Sequence, residues 1–359
     1  MRRNLSRISV VLGASGLLAA GLASSAYAAT TASAVSTAKV IAAQTPAWRT
    51  VLSVPVSSEN KGFDTVIATG RTTGWAFQNE ASLAYERTGA SWKPVAFPGI
   101  DGVVKVAGAS SPSDVWAALQ SSNGNSELLD HWNGRTWTTA TTFPSGGVVT
   151  AISALSPSDV WVFGGSSGSD GVFHFNGRTW AEVSATLQGG SALSDNNVWA
   201  FNGTDMEHYN GRTWTATNVA SLLPAQLSGH AASSLANLLA LAPNDVYATG
   251  EGDQTPRGGP GVVLHYNGHT WTRVAESGAF VGGEELASDG EGGLWIAGDN
   301  FPSYLPELFH YSAGQVTDAG LGAEIVSVSQ IPGTSEALAL GQQLGSGGGS
   351  ASSVVEQYS

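Results

Sequence analysis

The 359-residue sequence contains no cysteine. That excludes disulfides, thiolate metal sites, a thiol nucleophile and a lipid-modified cysteine anchor, so the fold must rest on burial, which a chain of this length can supply. Charge is scarce as well: 12% of residues are charged, against roughly 25% in an average domain. Basic residues are the scarcer kind, with 15 Lys and Arg against 28 Asp and Glu. Phosphate backbones are held by clustered Lys and Arg, so a nucleic-acid partner is excluded, and an anionic membrane surface would repel the chain. Beyond the N-terminus no apolar run is long enough to span a bilayer.

Residues 1–28 carry Arg2, Arg3 and Arg7, then an apolar stretch from Ile8 to Ala23, then Ala26-Tyr-Ala28. A basic start, a short greasy centre and a small-residue end predict a signal peptide cleaved after Ala28, hence a secreted, extracellular protein. These residues hold three arginines and no acid, so the net charge of −13 becomes −16 on their removal. Residues 29–44, rich in Ala, Thr and Ser, read as a linker, and a single domain is expected over 45–359.

What the chain has in plenty is repetition. His131-Trp-Asn-Gly-Arg-Thr-Trp137 returns at His174–Trp180, His208–Trp214 and His265–Trp271, with degenerate copies at Tyr85–Trp92 and His310–Val316. A second phrase precedes each: Ser111-Pro-Ser-Asp-Val-Trp116, Ser156–Trp161, Ser194–Trp199 and Ala242–Tyr247. Both are turn signals between β-favouring runs, Asn-Gly predicting a type I′ hairpin and Ser-Pro a type I turn. One unit therefore reads as strands a, b, c and d, and such units in series predict an all-β propeller.

Spacing gives the number of units. Tryptophan recurs on strand d at 48, 92, 137, 180, 214 and 271, with Val316 in the same place. The C-terminus stops after a strand c, and Ala47-Trp-Arg-Thr-Val51 near the start reads as the missing strand d. The expected fold is a seven-bladed β-propeller whose last blade is closed by the N-terminal strand, which hides the open edge of the ring. A Gly pair after strand b (Gly164-Gly165), an aromatic on strand c and a Trp on strand d make the chain resemble kelch-type propellers, including the central domain of galactose oxidase. Most blades lack the Gly pair, and the aromatic-to-Trp interval is five residues. The copper chemistry of galactose oxidase needs a Tyr–Cys crosslink, which the absence of cysteine removes.

All twelve tryptophans fall at recurring positions, as do His131, His174, His208, His265 and His310. A residue that returns in every blade serves the blade, so packing and an internal hydrogen bond are expected of them rather than ligand binding. Recognition should fall to what breaks the repeat. The d–a segment 221–241 carries His230; the b–c segments 251–261 and 299–307 carry Asp253, Arg257, Asp299, Asn300, Phe301 and Tyr304. Carboxylate, guanidinium, amide and aromatic groups on one rim suit a glycan or polar peptide. An acidic group at Glu284, Glu285, Asp289 and Glu291 reads as a solvated face. The expected function is a non-catalytic binding or interaction module for an extracellular glycan or protein, acting as a monomer without cofactor or metal. The alternative is a polysaccharide-acting enzyme using carboxylates at the propeller mouth.

Overall fold

The computed structural model describes residues 46–359 apart from 58–61, 79–82, 99–101, 122–126, 144–147, 165–170, 226–232, 253–258, 301–302 and 345–350. The leader and linker expected over 1–44 lie outside the described residues. Seven four-stranded antiparallel sheets follow one another. They span 63–96, 102–143, 149–184, 190–218, 234–277 and 280–318, and the seventh joins 324–358 to Trp48–Pro55. That last strand pairs along Ser352–Tyr358, Trp48 opposite Tyr358. The fold is the expected seven-bladed β-propeller with its N-terminal closure.

The Asn-Gly turns differ from expectation. Trp132 pairs with Trp137, so four residues, not two, connect the strands. Only the glycine has positive φ, +86° at Gly134. The reason lies in the asparagine: Asn133 Oδ1 accepts the N–H groups of Arg135 and Thr136 at 3.0 and 3.1 Å, an Asx turn that replaces the type I′ geometry. Asn176, Asn210 and Asn267 repeat it. A Cβ on Gly134 would also fall 2.9 Å from Ser113 Cβ in the a–b turn, so glycine is required twice over.

In blades one to six the strand b aromatic packs on strand c or d of the next blade. Trp75 meets Trp132 and Trp137 with centroids at 4.9 and 5.1 Å. Trp116 meets Trp180, Trp161 meets Tyr209, Trp199 meets Trp271, Tyr247 meets Tyr311, and Trp295 meets Trp48. The histidine one strand over lies flat on the same ring, His131 on Trp116 at 4.1 Å and 19°. Its Nε2 bonds an acid at the a–b turn: His131 to Asp114 at 2.7 Å, His265 to Asp245 at 2.8 Å and His310 to Asp289 at 2.9 Å. In blade four, Asn197 takes the place of the acid for His208, 3.0 Å away. Burial pushes the Asp114 and Asp289 carboxyls up, but bonds led by those from His131 and His310 outweigh it and hold both below the usual carboxylate range. Histidines and tryptophans thus serve the blade, as their recurrence implied.

At the closing junction the pair changes chemistry. Gln357 stands opposite Leu338, where blades two to six set histidine opposite the strand b aromatic, and its Nε2 donates to Glu336 at 2.8 Å. Arg87 of blade one, 5% exposed, donates through Nη2 to Gln357 Oε1 at 2.7 Å. Pairing of Arg87 with Trp92 puts it, rather than Tyr85, at the strand c position held elsewhere by an aromatic.

One buried acid has no such compensation. Asp130, on strand c of blade two, is fully buried with no well-formed hydrogen bond to either carboxylate oxygen. Burial pushes its carboxyl up, and Thr139 on the paired strand only partly offsets this. A raised native value means stability is full below the unfolded value, about 3.9, and falls as pH rises through the native one. Asp130→Asn should therefore raise unfolding free energy by about 1–3 kcal/mol at pH 7. The gain should vanish below about pH 4, as urea titrations at the two pH values would show.

Candidate functional site

Strand a lines the central channel in every blade, and near its start the chain departs from regular pairing. In five blades one extra residue bulges opposite strand b: Asp64, Lys105, Thr150, Ala236 and Val326. In blade six the residues 282–284 do so, opposite Gly298. A bulge bends the strand and re-aims its side chain. Here all five single-residue bulges face one cavity of about 580 Å³ at the end of the channel where the b–c and d–a loops lie. Glu285, Asn237, Ser153 and Ser191 add to its polar lining, among Val106, Ile152 and Leu238.

The cavity holds two acidic groups and one base, on blades one, two and six. Lys105 is exposed, and Asp64 and Glu285 are half-buried. Glu285 is fixed by the next blade, its Oε2 accepting the Val328 N–H at 3.0 Å. Asp289, 6% exposed, binds His310 and caps the Glu291 and Gly293 N–H groups. Of the solvated acidic face expected here, Glu291 is exposed, whereas Glu285 and Asp289 are drawn inward, where each accepts backbone N–H; the Glu284 side chain lies outside the described residues.

Among the residues singled out from sequence, His230, Asp253, Arg257 and Phe301 lie outside the described residues. Asp299 and Asn300 end strand b of blade six, Asp299 opposite Val281 and hence at the bulged end. Burial pushes the Asp299 carboxyl up. Asn300 organises its own loop: its N–H donates to Leu305 O, its carbonyl accepts from Tyr304 N, and its Nδ2 donates to Glu307 Oε2 at 2.7 Å. Tyr304 sits at φ +56°, a strained setting for a non-glycine residue. The d–a segment of blade five is also shorter than expected, since strand a begins at Ser234 and takes residues to Ala242.

The channel charges escaped the sequence reading, although each carries a signal. Asp64 in Phe-Asp-Thr-Val-Ile and Lys105 in Val-Val-Lys-Val-Ala interrupt apolar runs at the same point of the unit. A bulge is what turns that interruption inward. A second groove of about 490 Å³ runs between blades four and five past Trp199, Tyr266, Trp271, His208 and His269. Its tryptophans are only 4% and 9% exposed, being already packed on each other.

No protein-family model and no curated protein sequence matches the chain. Solved structures resemble it in fold. YCF48 from Cyanidioschyzon merolae superposes with TM-score 0.56 at 14% identity, over 87% of this chain and 98% of that one. The WD40 β-propeller domain of Doa1 gives 0.57 at 9% identity, over 86% and 96%. The GH74 enzyme of Niastella koreensis gives 0.54 at 14% identity, over 82% of this chain and 53% of the enzyme. The chain is a seven-bladed β-propeller.

The two kinds of channel residue should separate on substitution. Glu285→Ala leaves the Val328 N–H without its acceptor and should cost about 1–3 kcal/mol of stability. Lys105→Ala should change it by less than about 0.5 kcal/mol. Denaturant titration of both variants checks this.

Proposed function

We propose that the protein is an extracellular, non-catalytic binding module that takes a polar ligand, a glycan or a segment of an extracellular protein, at the loop-bearing mouth of its channel. The observation that carries this reading is broken symmetry. Seven blades offer equivalent positions at the start of strand a, and a residue needed by the fold would recur in all of them. Instead they hold acid, base, hydroxyl, small and apolar side chains. Asp64, Lys105, Glu285 and Asn237 gather donors and acceptors over apolar walls, in a volume suited to a small polar group. Asp299 and Tyr304 stand at the same end of blade six. The kelch-type pattern of Gly pair and strand aromatics adds to this reading, since it too pairs a conserved frame with variable loops.

Export is supported by the basic, apolar and small-residue parts of 1–28. N-terminal sequencing of material secreted by an expressing bacterium should begin at Ala29.

Binding is tested with glycan and peptide arrays on the purified chain. Lys105→Ala combined with Asp64→Ala should weaken any ligand found by about tenfold or more, the scale of one or two lost charge-assisted bonds. Unchanged binding in that double variant would dismiss the channel mouth as the site. The second reading, an enzyme acting on polysaccharide, draws on the same cavity, because Asp64 and Glu285 are two carboxylates facing one space, and paired acids suffice for glycoside cleavage. Polysaccharide turnover by the wild type, abolished in Glu285→Gln while the fold persists, would favour it over simple binding.

A further inference from the structure

Five blades repeat the strand c histidine, and in four of them, among the described residues, its Nε2 has one side-chain oxygen partner. Blade three is the exception. His174 Nε2 lies 2.9 Å from Asp159 Oδ1 and 3.3 Å from Asp195 Oδ1. Asp195 belongs to the next blade, in the a–b turn Ser194-Asp-Asn-Asn197, at the place held by Pro112, Pro157 and Pro243 in the corresponding turns. Blade four has moved its acid: Asn197 stands where other turns have Asp, and the carboxylate two residues earlier reaches back to blade three.

We propose that His174, Asp159 and Asp195 bind one divalent cation of the zinc class across the junction of blades three and four. Their ligand atoms all lie within 4.8 Å of one another. Zinc bonds of about 2.0–2.1 Å in tetrahedral array set ligand atoms about 3.3–3.4 Å apart. The spacings of 2.9 and 3.3 Å therefore need only small side-chain adjustments to admit the ion. Electrostatics asks for a cation as well. Asp159 and Asp195 both set a carboxylate oxygen against the same imidazole nitrogen. Two carboxylates beside each other carry two negative charges, and a proton on the imidazole answers only one.

The donor set chooses the metal. One imidazole nitrogen and two carboxylate oxygens suit zinc, cobalt or nickel, whereas calcium takes six to eight oxygens. Asp195 is exposed, its side chain 68% accessible, so an ion could enter from solvent and keep water as a fourth ligand. The cluster lies at the a–b and c–d turn end of the blades, opposite the channel mouth, and is independent of the ligand site proposed there. A cation here would tether the shortest blade, the one whose own histidine lacks an acid.

Titration calorimetry of the full chain with zinc chloride at neutral pH, in chelator-free buffer, should show one equivalent bound. Asp195→Asn, a change on an exposed turn, should weaken binding by about tenfold or more and leave the metal-free melting temperature near that of the wild type. Asp245→Asn, which breaks the corresponding single pair in blade five, should leave zinc binding unchanged. Excess calcium should not compete. Absence of binding up to roughly 1 mM zinc, or equal binding by wild type and Asp195→Asn, would overturn the proposal.

Discussion

A sheet in this ring can cover its faces only with its neighbours, so the contact between the strand b ring of one blade and the strand c and d rings of the next governs everything else. Each such aromatic contributes at most about 4–6 kcal/mol by the area it removes from water. Yet a ring can slide or turn in an apolar slot. The histidine prevents this by lying flat on one face of the ring while its Nε2 is held by the acid of the a–b turn. Position passes from turn to imidazole to indole to the next blade, and the structure needs no covalent tie to keep seven sheets in register.

Stationing these polar staples at one end of the blades has a consequence at the other. The a–b and c–d turns are short, and in blades two to five they are nearly alike, hydrogen-bonded to their own asparagines and serines. The b–c and d–a connections have no such duty and vary in length. Strand a, which begins among them, carries its bulges there. The bulge costs a little regular pairing but in five blades aims one side chain into the channel, where its identity is free to differ. Charge on blades one, two and six and its absence on three, five and seven make a directional interior from a repeating frame.

Much of the frame was legible because it repeats. Tryptophan spacing gave blade number, the truncated last unit gave the closure by Trp48–Pro55, and the periodic histidines pointed to an internal bond whose acceptors proved to be Asp114, Asp245 and Asp289. Where a side chain overrides a backbone habit, the reading failed: Asn133 accepts two N–H groups and draws the hairpin into a four-residue Asx turn. The channel residues were hidden for another reason. Whether Asp64 or Lys105 faces inward depends on one extra residue in the pairing of two strands, and pairing register leaves no periodic trace in the sequence. Asp289 was misjudged because acids that look clustered in sequence are parted by a turn, one entering the core and one remaining outside.

The junctions that depart from the common staple show which part of it is indispensable. Between blades seven and one, Gln357 and Glu336 replace histidine and acid, and Arg87 reaches across from the neighbouring blade to complete the bonding. Between blades three and four, Asp195 likewise reaches back to the preceding blade, to a histidine that already has a partner. In both places the polar link has been extended from within one blade to two. At the first it flanks the blade in which Trp48–Pro55 pairs with Ser352–Tyr358; at the second it comes from the turn where asparagine has displaced the usual acid. Polar reach between blades is thus found where the aromatic frame is least regular, as expected if burial supplies the stability and directional bonds supply the register.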